Sequence, residues 1–208
     1  MTALSDNTRM STEHRRADIV LMGPAGAGKT TVAEHISHLL NWPRLSLDAM
    51  QQTYLKELSD FTHVVQILEY EPFTSPRLQA YHVHIVERAF QDLQQAAQPH
   101  VVEFGYGHSL YKDKRYIQRF AETLNPYPNT FLLLPSANHR EAVELLYVNI
   151  MSHPLKRFVA KKETFEQMNA HAVRLYSQRR IAKHVVYTKG LTVEQTCDEV
   201  LRLAHVTD

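Results

Sequence analysis

The chain has 208 residues, of which 44% are hydrophobic and 22% are charged, and its formal net charge is +1. This length and apolar content suit one α/β domain with its own core, and the near-neutral charge excludes a strong overall attraction to nucleic acid or to anionic membranes. The single cysteine, Cys197, excludes an internal disulfide and a cysteine-based metal site, which favours a reducing, cytoplasmic location.

The N-terminal part of the chain is predicted to contain a tail, a strand and a helix. Residues 1–16 are polar and lack periodicity, which predicts a flexible tail before a single domain at residues 17–208. The apolar run Asp18–Met22 is typical of a short strand. Apolar residues recur at helical spacing between Thr31 and Leu40, which predicts a helix there.

The segment between this strand and this helix reads Gly-Pro-Ala-Gly-Ala-Gly-Lys-Thr at residues 23–30. It fits the phosphate-binding pattern G-x-x-x-x-G-K-[ST], in the strand–loop–helix context that the pattern requires. Glycines let backbone N–H groups surround a phosphate, and the helix N-terminus adds a partial positive charge. Lys29 is predicted to reach the β- and γ-phosphates of ATP and to act in catalysis, and Thr30 to bind Mg²⁺. The predicted nucleotide-binding residues are Gly23, Ala25, Gly26, Ala27, Gly28, Lys29, Thr30 and Thr31.

The remaining segments alternate between strand and helix patterns. A second strand is predicted at residues 44–47, ending at Asp48, and a polar, aromatic stretch follows from Met50 to Thr74. The Ser75–Pro76 pair predicts the start of a helix that runs close to Pro99. Further strands are predicted at residues 101–104, 131–134 and 185–187, further helices at 110–124, 139–151 and 162–181, and a last helix opened by the capping pair Thr192 and Gln195. Five short apolar strands separated by helices predict a parallel sheet with helices on both faces.

Two parts of the chain resemble the P-loop small-molecule kinases, the group of shikimate kinase, gluconate kinase and the nucleoside monophosphate kinases. Residues 26–33 are similar to the phosphate loop and helix of shikimate kinase, and residues 175–196 resemble the closing helix–strand–helix of that family. The resemblance implies a nucleoside-monophosphate-kinase-like P-loop fold, and it implies that the protein uses ATP and Mg²⁺. It also implies an acceptor-binding segment at about residues 49–100 and a lid at about residues 152–180.

The chain also departs from shikimate kinase at its acceptor site. The two aspartates at the end of that family's second strand correspond to Ser46 and Asp48, so only the second acid is present. The glycine triplet after the third strand is replaced by residues 104–107, which read Phe-Gly-Tyr-Gly. The family's glutamate–phenylalanine–arginine acceptor motif has only a loose counterpart in Glu71–Phe73 and Arg77. The resemblance therefore implies the kinase layout without identifying shikimate as the acceptor.

Two carboxylates are candidates for chemistry at the carboxyl end of the predicted sheet. Asp48 is predicted to orient the hydroxyl of the acceptor and to accept its proton, with a helix N-cap as the alternative role. Glu103 ends the third strand and is predicted to contact Mg²⁺ or the acceptor, with an exposed strand-edge carboxylate as the alternative.

Substrate contacts are predicted around these acids and in the lid. Gly105 and Gly107 allow a close approach of substrate to the backbone, or simply form a turn, and His108, which follows them, is predicted to contact substrate. Arg77 is the acceptor-binding cation that the resemblance implies. In the lid, Arg157 and Arg174 are predicted to neutralise charge on the transferring phosphate.

The sequence thus predicts an ATP-dependent enzyme that transfers the γ-phosphoryl group to a hydroxyl of a small metabolite or natural product. One alternative is a defence kinase that modifies an antibiotic or acts as a toxin; another is a nucleotide-gated binding module without phosphotransfer. The expected partner is a small-molecule acceptor rather than a membrane. Nucleic acid is disfavoured because basic clusters such as residues 112–115 are short and mixed in sign. The chain is expected to be a monomer or a homodimer.

Overall fold

The computed structural model describes residues 17–59, 75–152, 169–170, 172–174 and 176–206. The predicted N-terminal tail, part of the predicted acceptor segment and most of the predicted lid, including Arg157, lie outside the described residues. Within the described ranges, no helix is both long and apolar enough to cross a membrane.

The strands form one parallel sheet. They are β1 (Ile19–Met22), β2 (Arg44–Ser46), β3 (Val101–Glu103), β4 (Thr130–Leu134) and β5 (His184–Tyr187). Their spatial order is β2-β3-β1-β4-β5, and every neighbouring pair is parallel. The predicted five-stranded parallel sheet is therefore confirmed. Because all strands point the same way, the loops that follow β1, β2 and β3 meet at one edge of the sheet.

The helices connect these strands and cover both faces of the sheet. They are α1 (Lys29–Leu40), α2 (Leu47–Leu55), α3 (Pro76–Gln95), α4 (Lys114–Leu124), α5 (His139–Met151), α6 (Tyr176–Ile181) and α7 (Val193–Leu203). Two predicted helix starts are confirmed by their caps. The Ser75 hydroxyl accepts from the Leu78 N–H at 3.1 Å, and Thr192 with Gln195 forms a complete capping box.

Most predicted boundaries differ from the structure by a few residues, and two of the differences matter for the site. The second strand ends at Ser46, and α2 occupies the start of the stretch that the sequence left without regular structure. Leu47, Tyr54 and Leu55 are buried on one face of that helix, a helical spacing that the intervening polar residues conceal. The fourth helix begins at Lys114 rather than at residue 110. The preceding residues form a loop, and the backbone N–H groups of Lys112 and Asp113 donate to the side chain of Gln79 on α3.

Alternate residues of β1 build two apolar layers on opposite faces of the sheet. Ile19 and Leu21 pack with α1, α5 and α7, and Val20 and Met22 pack with α2, α3 and α4. This alternation is the expected consequence of the two-residue period of a strand. The buried strands hold the loops at the carboxyl edge of the sheet in fixed positions, and the candidate site lies there.

Candidate active site

The loop between β1 and α1 has the geometry of an anion-binding loop. Gly28 is the N-cap of α1 in the left-handed region, with φ 84°, and no side chain caps this helix. In contrast, side chains cap the N-termini of α3, α4, α5 and α7. Because no capping side chain accepts from the first N–H groups of α1, these groups are available to bind a ligand. The confirmed strand–loop–helix arrangement is the one that the phosphate-binding pattern requires.

Helix α5 holds this loop in place. Asn149 Nδ2 donates to the Gly26 carbonyl oxygen at 3.0 Å. Gly26 has φ 81°, and a Cβ atom at this position would lie only 2.8 Å from the carbonyl oxygen of Leu146. Only glycine therefore fits between the loop and α5. These contacts fix the conformation of the phosphate loop.

Lys29 is a buried cation inside this loop. The residue is 9% exposed, and its Nζ donates to the Pro24 carbonyl oxygen at 2.9 Å. Burial lowers the pKa of Lys29 from 10.5 to about 8, and the negative charges of Asp48 and Glu103 oppose this effect. The structure therefore brings the predicted lysine and both predicted carboxylates into one electrostatically coupled group.

Asp48 lies in the first turn of α2, where its carboxylate is 70% exposed. The N-cap of this helix is Ser46, so the alternative of Asp48 as a capping residue is wrong. Although the side chain is accessible, the surrounding protein displaces part of its hydrating water and raises the pKa of Asp48, and the positive charge of Lys29 opposes this rise. Asp48 is thus a solvent-accessible carboxylate held near the phosphate loop.

Glu103 is buried and paired rather than exposed at the edge of its strand. Its side chain is 7% exposed, and its Oε1 lies 3.2 Å from Nη1 of Arg44, which also donates to Glu34 at 2.8 Å. Arg44 was not among the site residues that the sequence predicts. In the parallel register Arg44 opposes Val101, two residues before Glu103, so its side chain lies on the same face of the sheet. Only the strand register reveals this pairing.

Gly105 and Gly107 allow close contacts within the protein itself. A Cβ atom at Gly105 would lie 1.7 Å from Oδ1 of Asp48 and 2.6 Å from Nδ1 of His108. A Cβ atom at Gly107 would lie 2.3 Å from Cε1 of His82. The side chains of Asp48, His108 and His82 therefore lie close to these two glycines. The predicted approach of substrate to the same backbone stays a prediction.

The remaining predicted residues have different surroundings. His108 is buried beside Asp48, and burial together with the charge of Lys29 lowers the pKa of its imidazole to about 3. Arg77 is exposed in the first turn of α3, and Arg174 is exposed in the helical segment 172–174. The structure thus joins Lys29, Asp48 and His108 in one cluster, and it places the two arginines on exposed helix surfaces.

A cavity of about 340 Å³, which no pattern in the sequence predicts, lies next to the phosphate loop. Its walls come from residues 27–28, the start of α1, the C-terminal half of α5 and residues 188–193. The loop after β5 is fixed there, because the Thr188 and Lys189 N–H groups donate to the Leu134 and Pro135 carbonyl oxygens at 2.9 Å. The cavity has the mixed apolar and polar lining and the size typical of a site for a small heterocycle.

Comparison with known proteins gives a partial match to one family model and a similarity in fold to solved structures. A model of the family "Magnesium chelatase, subunit ChlI" matches residues 12–92, less than half of the chain. No curated protein has significant sequence similarity to this chain. The fold is similar to shikimate kinase from Acinetobacter baumannii in complex with shikimate, at a TM-score of 0.59 and 17% identity, covering 89% of this chain and 91% of that chain.

Two further solved structures have the same architecture. A gluconokinase from Sinorhizobium meliloti 1021 matches at a TM-score of 0.55 and 17% identity, covering 92% of this chain and 94% of that chain. A deoxyadenosine kinase from M. mycoides matches at a TM-score of 0.50 and 15% identity, covering 91% of this chain and all (100%) of that chain. At these identities the similarity establishes the fold alone. The resemblance to the P-loop small-molecule kinases is confirmed at that level, and this chain has their nucleoside-monophosphate-kinase-like P-loop fold.

Proposed function

We propose that this chain is an ATP-dependent phosphotransferase that moves the γ-phosphoryl group to a hydroxyl of a small metabolite or natural product. The observation that carries the proposal is that Lys29 and Asp48 lie close enough for their charges to interact, beside a helix N-terminus that no side chain caps. A cation for the phosphates and an accessible carboxylate for the acceptor are the two groups that phosphoryl transfer to a hydroxyl needs. The fold shared with three kinases of different small molecules supports the same class of reaction.

The nucleotide is proposed to bind across the phosphate loop. Its base enters the cavity lined by residues 188–193, and its phosphates contact the loop N–H groups and the start of α1. Lys29 is already oriented by its bond to Pro24, so a phosphate oxygen replaces a carbonyl oxygen as the acceptor of its N–H groups. A phosphate next to Lys29 also places negative charge beside the buried ammonium group. This counter-charge stabilises the protonated form of the lysine.

Magnesium is proposed to be held mainly by the phosphates and by oxygen ligands of this chain. Thr30 is exposed in the first turn of α1, and Glu103 lies close enough to Lys29 for their charges to interact. Hydroxyl and carboxylate oxygens suit Mg²⁺, which usually keeps several waters beside substrate phosphates. One oxygen of Glu103 is paired with Arg44, so we assign Glu103 a contact through a Mg²⁺-bound water. When bound, Mg²⁺ would neutralise charge on the β- and γ-phosphates.

Asp48 is proposed to prepare the acceptor. Its carboxylate accepts a hydrogen bond from the acceptor hydroxyl and takes its proton as the oxygen attacks the γ-phosphorus. The bond between the γ-phosphorus and the bridging oxygen breaks, and ADP leaves with the electron pair. The raised pKa of Asp48 makes it a better proton acceptor than an ordinary aspartate.

Other predicted residues complete this proposal. Arg77, Gly105 and Gly107 surround the acceptor, while Arg157 and Arg174 neutralise the transferring phosphate from the lid. We place the reaction in the cytoplasm, carried out by a monomer or a homodimer. Each of these assignments rests on the resemblance and on the sequence. The proposed roles of Lys29 and Asp48 do not depend on them.

The proposed function is tested by transfer from labelled ATP. Purified protein with Mg²⁺, γ-labelled ATP and a library of hydroxylated metabolites and natural products is expected to label at least one acceptor, with one ADP formed per label. Reactions without acceptor measure the background of hydrolysis. ATP binding without any transfer above this background would contradict the proposal and would favour the nucleotide-gated binding module.

Replacing Gly105 by alanine is expected to lower turnover by displacing Asp48. The new Cβ atom would meet Oδ1 of Asp48 at 1.7 Å, so the carboxylate must move. A misplacement of about 1 Å can cost about 100-fold in rate, and the strain is expected to lower the free energy of unfolding by about 1–3 kcal/mol. Affinity for a non-hydrolysable ATP analogue is expected to stay unchanged. A parallel loss of analogue affinity would show instead that the phosphate loop had been disturbed.

A further inference from the structure

A buried histidine faces the Asp48 carboxylate from inside the protein. The His108 side chain is 1% exposed, and its Nδ1 lies 3.7 Å from Oδ1 of Asp48. Within the described part of the chain, neither ring nitrogen of His108 has a hydrogen-bond partner. A buried polar nitrogen without a hydrogen-bond partner destabilises the folded state, because its hydrogen bond to water has been lost and not replaced. A movement of less than 1 Å would bring Nδ1 and the carboxylate within hydrogen-bond distance, at about 2.9 Å.

The loop that carries His108 is fixed along its length. Its hydrogen bonds are His108 N–H to Gly105 O at 3.3 Å, Leu110 N–H to Gly107 O at 3.2 Å, Tyr111 O–H to His108 O at 2.8 Å and Gln178 Nε2–H to Ser109 Oγ at 2.8 Å. Helix α3 adds a further link, because Oε1 of Gln79 accepts from the Lys112 and Asp113 N–H groups. The imidazole of His108 is therefore held by a rigid loop rather than by a mobile one.

A second buried histidine packs against the His108 ring. The rings of His82 and His108 meet edge to face, with centroids 5.1 Å apart. His82 is itself buried and forms a hydrogen bond with the backbone of Gly107. The His108 ring thus packs against the His82 ring and also faces Asp48, and Gly105 leaves room for the carboxylate to approach it.

We propose that His108 is a positioning residue for Asp48: its Nδ1–H donates to Oδ1 of Asp48 and leaves Oδ2 for the hydroxyl of the acceptor. This inference rests on the proposed role of Asp48 in phosphotransfer. His108 exchanges no proton with the substrate in this scheme and contacts it only through Asp48. The gap of 3.7 Å is longer than a hydrogen bond, and catalytic contacts of this kind commonly shorten when substrate binds.

The electrostatics of the cluster agree with this role. Burial and the nearby charge of Lys29 hold the pKa of His108 at about 3, so the imidazole is neutral at physiological pH. A neutral imidazole has one N–H group, and the partner of that group decides which nitrogen carries it. Asp48 offers a carboxylate oxygen 3.7 Å from Nδ1, which favours the proton on that nitrogen. The neutral ring also leaves the negative charge of Asp48 in place for the acceptor.

The tautomer of His108 tests the contact without any assumption about catalysis. In ¹⁵N-labelled protein without nucleotide, the imidazole nitrogen resonances of His108 are expected to report the Nδ1–H form. Asp48→Ala is expected to reduce that form, and Asp198→Ala, which removes an exposed carboxylate on α7, is expected to leave it unchanged. An Nε2–H form in the unmodified protein, or an Nδ1–H form that Asp48→Ala does not alter, overturns the proposal whether or not the protein is a kinase.

Turnover in the labelled-ATP assay tests the consequence. His108→Asn keeps an N–H group near the position of Nδ1, whereas His108→Leu removes it. His108→Leu is expected to lower kcat about tenfold with KM for ATP unchanged, and His108→Asn to restore most of the loss. His38→Leu, at an exposed histidine of α1, is expected to behave as the unmodified protein. Equal kcat losses in the two folded His108 variants, or an unchanged kcat in His108→Leu, overturn the positioning role.

Discussion

Replacing Lys29 by methionine is expected to weaken ATP binding by about 10- to 100-fold and to reduce turnover further. The methionine keeps the apolar stem of the side chain but cannot donate to a phosphate, and a hydrogen bond to a charged group is worth about 1.5–3 kcal/mol. Isothermal titration with a non-hydrolysable ATP analogue and Mg²⁺ measures the affinity. Lys183→Met, at an exposed lysine, is the matched control and is expected to bind as the unmodified protein.

The same variant is expected to be at least as stable as the unmodified protein at pH 7. The fall in the pKa of Lys29 from 10.5 to about 8 means that the fold disfavours the charged form, by about 3 kcal/mol. Between these two pH values the unfolded chain holds the proton that the folded chain has lost, so the unmodified protein gains stability as the pH rises from 8 to 10.5. Lys29→Met lacks this gain. Denaturant unfolding of both proteins at pH 7 and pH 10 measures it, and a variant that unfolds at pH 7 would show that Lys29 is a structural residue.

Replacing Asp48 by asparagine is expected to separate binding from chemistry. The amide keeps the shape of the side chain but cannot take the proton of the acceptor, and general-base assistance is worth about 10²- to 10⁴-fold in rate. We therefore expect kcat to fall within that range. Affinity for an ATP analogue, measured at pH 7 where Lys29 remains mainly protonated, is expected to change little.

Stability distinguishes this result from a structural role of Asp48. Asp48 contributes to α2 only as a negative charge in the first turn, which is worth about 0.3–1 kcal/mol. Asp198→Asn, at an exposed position of α7, is the control for the loss of a carboxylate. A normal kcat together with a larger loss of stability would assign Asp48 to the fold and would leave Glu103 as the candidate base.

The structure also explains how three separate segments form the proposed site. Lys29 follows β1, Asp48 follows β2, and the loop with Gly105 and His108 follows β3. These strands are neighbours in the order β2-β3-β1, so their carboxyl ends deliver the segments to one place. Helix α5 then fixes the phosphate loop through Asn149, and α3 fixes the His108 loop through Gln79.

The sequence alone was sufficient for the features that depend on neighbouring residues. The loop at residues 23–30 is contiguous, and its glycines, lysine and threonine predict a phosphate site from local chemistry. The sheet class also followed from the sequence, because buried parallel strands are short apolar runs between helical patterns. The caps at Ser75 and Thr192 were predictable for the same reason, since a cap satisfies N–H groups within its own first turn.

Only the tertiary structure decided the features that join distant parts of the chain. Arg44 pairs with Glu103 through strand register, and the cavity is lined by both the phosphate loop and residues 188–193. The position of Asp48 against Gly105 and His108 depends on α2, whose buried face the polar sequence concealed. Such contacts arise from packing between elements far apart in sequence, and a local residue pattern carries no record of which elements will meet.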